Sequence, residues 1–266
     1  MDHVDVNDIR IAYRRVGAGQ PVVLLHGAPA DSRSWAWMTP VLAANFTVIA
    51  WDAPGFGRSA LVPERWRAPD YADALAGFLI AIAVHRPILV GHSFGSILAL
   101  AFLERHRAVA SGLVLIGAYA GWAGSLQPEE VSKRLQGFLT MADLGEAYDP
   151  KSYPGFFSDL IPADREAAII SMMRENNRPA TVRVAGHVAA ETDLRAMLPS
   201  IDIPTLLVHG DADARSPLSA ARAINAAIPG SEIVVLPGLG HACIVEDPDA
   251  CSVAILRFAE RVTRTV

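Results

Sequence analysis

Ile88-Leu89-Val90-Gly91-His92-Ser93-Phe94-Gly95-Ser96-Ile97-Leu98-Ala99-Leu100 sets a serine between two glycines, with a short apolar run before it and a longer one after it. Pro87 to Val90 has the length of a buried strand, and Ser96 to Leu103 reads as the start of a helix, so Ser93 stands at the corner between them. Gly91 and Gly95 leave room for a turn too tight for side chains. Such a turn lifts the Ser93 hydroxyl off the backbone and leaves the Phe94 amide free to face a developing oxyanion. The five-residue pattern alone arises by chance. Between a strand and a helix it predicts a nucleophile.

The same grammar recurs along the chain. Apolar runs at Val22–Leu25, Phe46–Trp51, Leu113–Ile116, Thr205–Val208 and Glu232–Leu236 each end in a loop rich in glycine or polar residues. An earlier alternating segment, Ile9 to Tyr13 and on to Val16, reads as a partly exposed strand. Helices are predicted over Trp35–Leu42 with a cap from Asp31–Ser34, over Tyr71–Ala83, Ser93–His106 and Leu218–Ile228, and from Pro248 to about Val262 with a cap from Glu246-Asp247. Short strands separated by helices predict an α/β fold with a mostly parallel central sheet and helices on both faces.

From about Trp122 to Ser200 the strand rhythm stops. Helices are predicted over Glu129–Ala142, Ala163–Asn176 and roughly Ala180–Leu198, with bulky apolar residues Phe138, Met141, Tyr153, Phe156, Phe157, Met172 and Met173 among them. The expected organisation is a core domain of residues 1–121 and 201–266 with a helical cap, or lid, of residues 122–200 inserted in it.

Composition narrows the partners. The 266 residues carry a net charge of −5, and their basic residues are scattered as Arg14-Arg15, Arg65-Trp66-Arg67 and Arg105-His106-Arg107. That distribution gives no continuous positive field for a phosphate backbone, so no nucleic-acid partner is expected. The first residues lack the basic and apolar regions of a signal peptide, and no uninterrupted apolar stretch reaches membrane-spanning length. A cytoplasmic protein with no membrane association is expected, its two cysteines, Cys243 and Cys251, being free thiols. Its partner is then a small-molecule substrate, while the oligomeric state is not legible.

A serine hydroxyl attacks an acyl carbon efficiently only when an imidazole takes its proton and an acid holds that imidazole. His241 follows a strand in a glycine-rich loop at the sheet edge of Ser93 and is the candidate base. Asp213 follows the preceding strand and is the candidate acid, with Asp211 as its rival two residues away. The order Ser93, Asp213, His241 is the one expected on a sheet of this type. Phe94 and Ala28 are the candidate oxyanion-hole donors through their backbone N–H groups. His26, His92 and His209 read as loop supports. His3, His85, His106 and His187 have no metal-like spacing with acids or cysteines, so no metal is implied.

With these residues in place, the chain resembles the α/β-hydrolase family over nearly its whole length, in its lidded esterase and lactonase branch. Gly91 to Gly95 matches the nucleophile elbow, His26-Gly27-Ala28-Pro29 the oxyanion loop, Gly210-Asp211-Ala212-Asp213 the acid loop and Gly240-His241 the histidine loop. The resemblance implies the α/β-hydrolase fold and the Ser93, Asp213, His241 catalytic triad. It favours Asp213 over Asp211, since the family acid usually stands three residues beyond that glycine. Asp52 to Ser59 resembles a structural D-x-x-G-x-G-x-S turn. Some members use an aspartate at the elbow to open epoxides or carbon–halogen bonds; the serine here favours an acyl-serine route. The implied function is hydrolysis of small to medium, largely uncharged carboxylic esters or lactones, without a cofactor. The alternatives are a carbon–carbon bond hydrolase of a small keto or enol substrate, with Arg174, Arg178, Arg183 and Arg195 as sources of anion recognition, and a small-ligand receptor on a hydrolase scaffold.

Overall fold

A computed structural model describes residues 1–107, 109–152 and 155–265. Tyr153, one of the bulky residues of the helical stretch, lies outside the described residues. Among the described residues, eight strands form one sheet: β1 (Asp2–Val6), β2 (Ile9–Val16), β3 (Pro21–Leu25), β4 (Thr47–Trp51), β5 (Ile88–His92), β6 (Gly112–Ile116), β7 (Thr205–Gly210) and β8 (Glu232–Leu236). Their spatial order is β1-β2-β4-β3-β5-β6-β7-β8. The β1–β2 and β2–β4 pairs are antiparallel and every other pair is parallel. Residues of β4, β5, β6 and β7 are buried on both faces, which explains why those strands read as unbroken apolar runs.

Parallel neighbours need crossovers, and helices supply them. These are α1 (Thr39–Ala43), α2 (Ala68–Ala81), α3 (Phe94–Arg105), α4 (Pro128–Leu144), α5 (Ala163–Asn176), α6 (Pro179–Glu191), α7 (Leu218–Ala227), α8 (Cys243–Glu246) and α9 (Pro248–Thr265). The α2 and α3 helices pack on each other and reach β1, β3 and β5, whereas α1 and α9 pack on each other and reach β4, β6 and β7. This is an α/β-hydrolase fold with a mostly parallel sheet. Between β6 and β7 the described residues form α4, α5, α6 and short 3-10 turns, with α4 packed along α6 and α6 touching α3.

Several elements differ from the sequence expectation. Trp35–Leu42 is not one helix but a 3-10 turn over Ser32–Trp35 followed by α1, because Pro40 has no N–H to continue a helix. Asp31 does cap the turn, its carboxylate accepting the Arg33 N–H at 2.9 Å. The expected helix to Leu198 stops at Glu191, since the Ala189 carbonyl accepts the Trp122 N–H at 2.7 Å; a separate 3-10 turn covers Arg195–Ser200. β1 was not foreseen. At the start of α9 only Asp247 serves as a cap, accepting the Ala250 N–H at 2.9 Å. Glu246 is turned elsewhere.

No helix among the described residues is long and apolar enough to cross a membrane. Cys243 and Cys251 are buried free thiols, and the contact with Cys251, together with burial, pushes the Cys243 thiol up.

Candidate active site

Parallel strands that run the same way end on the same edge, so the loops after β3, β5, β7 and β8 gather there. Ser93 stands between β5 and α3 with φ 53° and ψ −114°. That left-handed backbone costs a non-glycine residue on the order of 1–3 kcal/mol and persists only where the surroundings enforce it. Here they do: the Ser93 N–H donates to the Ile116 carbonyl at 2.9 Å, tying the corner to the end of β6. A Cβ on Gly91 would run into the Gly95 carbonyl, and one on Gly95 into the Leu25 carbonyl. The main-chain N–H of Phe94, the first residue of α3, has no partner within the helix, as its position dictates.

His241, 3% exposed, brings Nε2 to 2.9 Å from Ser93 Oγ. Its Nδ1 lies 2.8 Å from Asp213 Oδ2. The other carboxylate oxygen of Asp213 accepts the N–H groups of Arg215 at 2.8 Å and Ser216 at 2.7 Å, so the acid is held by main chain on one side and imidazole on the other. Burial alone would raise the Asp213 carboxyl, but the charge and hydrogen bond of His241 and the Ser216 amide outweigh it and hold the group below its ordinary value. An ionised Asp213 keeps the proton on His241 Nδ1 and leaves Nε2 free to accept the Ser93 hydroxyl hydrogen. Asp211 is exposed and accepts the Gly238 N–H at 2.6 Å, bracing the loop that leads to His241.

The other histidines of this edge are occupied as supports. His92 Nε2 donates to the His241 carbonyl at 2.8 Å, and burial with the neighbouring His241 pushes its imidazole down to about 3. His26 accepts the Ala53 N–H at 2.9 Å and donates to the Gly27 carbonyl at 2.7 Å. His209 donates to the Ser216 carbonyl at 2.9 Å. Among the described residues no group of three or more His, Cys, Asp or Glu side chains is placed to hold a metal ion.

Two clefts meet at Ser93. One, about 390 Å³, runs past Ala28, His92, Ile169, Met172, Met173 and Val245. The other, about 360 Å³, is walled by Phe94, Tyr119, Trp122, Phe138, Arg215 and His241. Ala28, Ser93 and Phe156 border both, and the Phe156 ring meets the His241 ring edge-on at 5.7 Å. Apolar side chains dominate both walls.

Sequence reasoning missed Arg134. It is 8% exposed on α4, donating to Tyr119 Oη at 2.8 Å, the Arg215 carbonyl at 2.7 Å and Glu130 at 2.7 Å. Tyr119 Oη in turn donates to the Arg215 carbonyl at 2.6 Å, and burial pushes its hydroxyl up to about 12, so it stays a neutral donor. A lone arginine in a mixed helical pattern gives no sign of this. The four arginines considered for anion recognition are engaged elsewhere: Arg174 with Asp149, Arg183 with Asp143, Arg195 with Asp193 and Arg178 with the Gly55 and Gly57 carbonyls.

Residues 22–254 match the family described as alpha/beta hydrolase. A putative non-heme chloroperoxidase of Synechocystis sp. is 29% identical, the match covering 95% of each chain. A 2-hydroxy-6-oxononadienedioate/2-hydroxy-6-oxononatrienedioate hydrolase of Pseudomonas putida is 28% identical over 95% of this chain and 92% of its own. Among solved structures, a thermophilic esterase from Thermogutta terrifontis superposes with a TM-score of 0.88 at 27% identity, over 98% of this chain and 99% of that one.

Proposed function

The chain belongs to the alpha/beta hydrolase family, and on that premise we propose that it is a serine hydrolase of small to medium, largely uncharged carboxylic esters or lactones. The observation that carries this reading is the hydrogen-bonded line from Asp213 through His241 to Ser93, meeting two apolar clefts at the hydroxyl.

In the proposed cycle the Ser93 oxygen attacks the acyl carbon while its proton passes to His241 Nε2. The imidazolium is held by the ionised Asp213. The new oxyanion rests on the N–H groups of Ala28 and Phe94, each worth on the order of 3 kcal/mol in such sites. Collapse expels the alcohol oxygen, which takes the proton from His241, and leaves an acyl-Ser93. Water then gives a proton to the same imidazole as it attacks the acyl carbon, and collapse breaks the bond to Ser93 Oγ, which takes that proton back from His241 Nε2 as the acid is released. The cycle closes without a cofactor. Residues 122–200 act as a cap whose apolar side chains admit an uncharged group, since burying an unpaired charge is costly.

The esterase of the solved neighbour supports ester hydrolysis. The Pseudomonas putida relative supports a carbon–carbon bond hydrolase as the second reading, which Arg215 on the wall of the cleft could serve by meeting an anionic group. A receptor role finds less support, because the hydroxyl, imidazole and carboxylate are aligned for proton transfer. The test is hydrolysis of p-nitrophenyl esters of increasing acyl length and of several lactones by the protein and by Ser93→Ala. Ester or lactone turnover that disappears in the variant supports the proposal; equal rates for the two proteins overturn it.

A further inference from the structure

Glu246, 5% exposed at the end of α8, takes no part in that cycle. Its Oε1 accepts the Ser158 N–H at 2.8 Å. Its Oε2 accepts the Ser158 hydroxyl at 2.8 Å and the Gly240 N–H at 2.6 Å. The two main-chain donors come from different parts of the chain. Gly240 immediately precedes His241, while Ser158 follows Phe156 by two residues in the segment inserted between β6 and β7. A parallel tie runs from the Ala242 N–H to the Phe156 carbonyl at 3.2 Å, and Arg165 donates to the Val245 carbonyl at 2.9 Å. The packing is close: a Cβ on Gly240 would come within 2.9 Å of both Glu246 Oε1 and the Ser158 nitrogen.

We propose that Glu246 is a positioning residue that locks the segment around Ser158 to the histidine loop, so that covering the clefts and seating His241 against Ser93 are one event. The proposal rests on the reading of His241 as the general base. Its physical root is the number of donors that converge. A carboxylate has acceptor sites for all three, whereas the amide of glutamine offers one acceptor oxygen and turns an NH2 toward a main-chain N–H whichever way it lies. A buried N–H left without an acceptor then favours opening of the loop to water. When the lock opens, the imidazole loses its place over Ser93 and the Phe156 ring leaves the junction of the two clefts.

Glu246→Gln and Ser158→Ala in the full chain test this, read by kcat and KM on a p-nitrophenyl ester and by hydrogen exchange of residues 155–165 and 238–246. Glu246→Gln is expected to lower kcat by about tenfold or more with a smaller change in KM, and to raise exchange in both segments together while β5 stays protected. Ser158→Ala keeps the two main-chain donors and is expected to give the same paired change with kcat lowered only about two- to threefold. An unchanged kcat in Glu246→Gln, or exchange that rises in one segment alone, overturns the lock. If Glu246→Gln does not fold, Ser158→Ala decides by the same two-segment criterion. A wild-type protein that hydrolyses none of the esters or lactones overturns the proposed function instead, and the exchange measurement still judges the lock.

Discussion

The two walls of the active site are held by different means. On the sheet side, main-chain groups do the holding: the Ser93 N–H on the Ile116 carbonyl, the Arg215 and Ser216 N–H groups on Asp213, and the His241 carbonyl under His92. On the other side, Phe138, Phe156, Ile169, Met172 and Met173 face the clefts with side chains that pack without direction. Directional bonds at strand ends hold atoms to within tenths of an ångström, as proton transfer requires. Methionine and phenylalanine fill space and can be exchanged for others of like volume. In the proposed cycle the sheet side sets the reaction, the inserted side governs which molecules reach it, and the Glu246 tie joins the two.

Substitutions can break this division or sharpen it. The largest effect is expected from Ser93→Ala, which should lower kcat by about 10⁶, a loss typical of removing a triad nucleophile. Asp213→Asn should cost about 10⁴ in kcat by presenting the wrong imidazole tautomer, and the same rate on the ester panel before and after that change would contradict its role. Trp35→Ala removes a fully buried ring that meets His92 edge-on at 6.3 Å, and urea unfolding should register a loss of about 3–5 kcal/mol. On the inserted side, Met172→Phe or Met173→Phe should shift preference toward shorter chains by about tenfold while kcat on the shortest ester stays within about threefold. A collapse of that kcat would mean that Met172 and Met173, and not the Glu246 tie alone, couple the inserted side to the reaction.

The most gradual effect is a pH dependence of stability that belongs to the sheet side. His26, His92 and His209 are buried, and burial pushes each below its ordinary 6.5, His92 to about 3. The folded protein keeps these imidazoles neutral where the unfolded chain binds a proton. Stability is therefore full above pH 6.5 and falls as the pH drops below it, by up to about 1.4 kcal/mol per pH unit for each imidazole. Asp213, held below its ordinary 3.8, adds a loss in the same direction at still lower pH. Urea midpoints from pH 8 to pH 5 should decline below about 6.5; a flat profile would contradict the burial of neutral imidazoles.

The same division governs what could be read from the sequence. Ser93, Asp213, His241, Ala28 and Phe94 stand just beyond apolar runs, where strand, turn and residue type agree, and the structure brings them to one edge. β1 escaped because Asp2, His3 and Asp5 leave it largely exposed at the edge of the sheet, with only Val4 and Val6 to mark an alternation. The early end of α6 escaped because it depends on a carbonyl captured by Trp122, 67 residues earlier in the chain. Glu246 looked like a cap for α9, and only the fold brings Ser158 and Gly240 to its carboxylate. Long-range polar contacts of this kind leave no local pattern.

Covalent capture at Ser93 tests the acyl-serine route most directly. The protein is treated with an aryl phosphonofluoridate, and the adduct is located by peptide mass spectrometry while ester hydrolysis is followed. The route predicts a single adduct on Ser93 with activity lost in proportion to labelling. An adduct on another residue, or full hydrolysis after Ser93 is labelled, would contradict it.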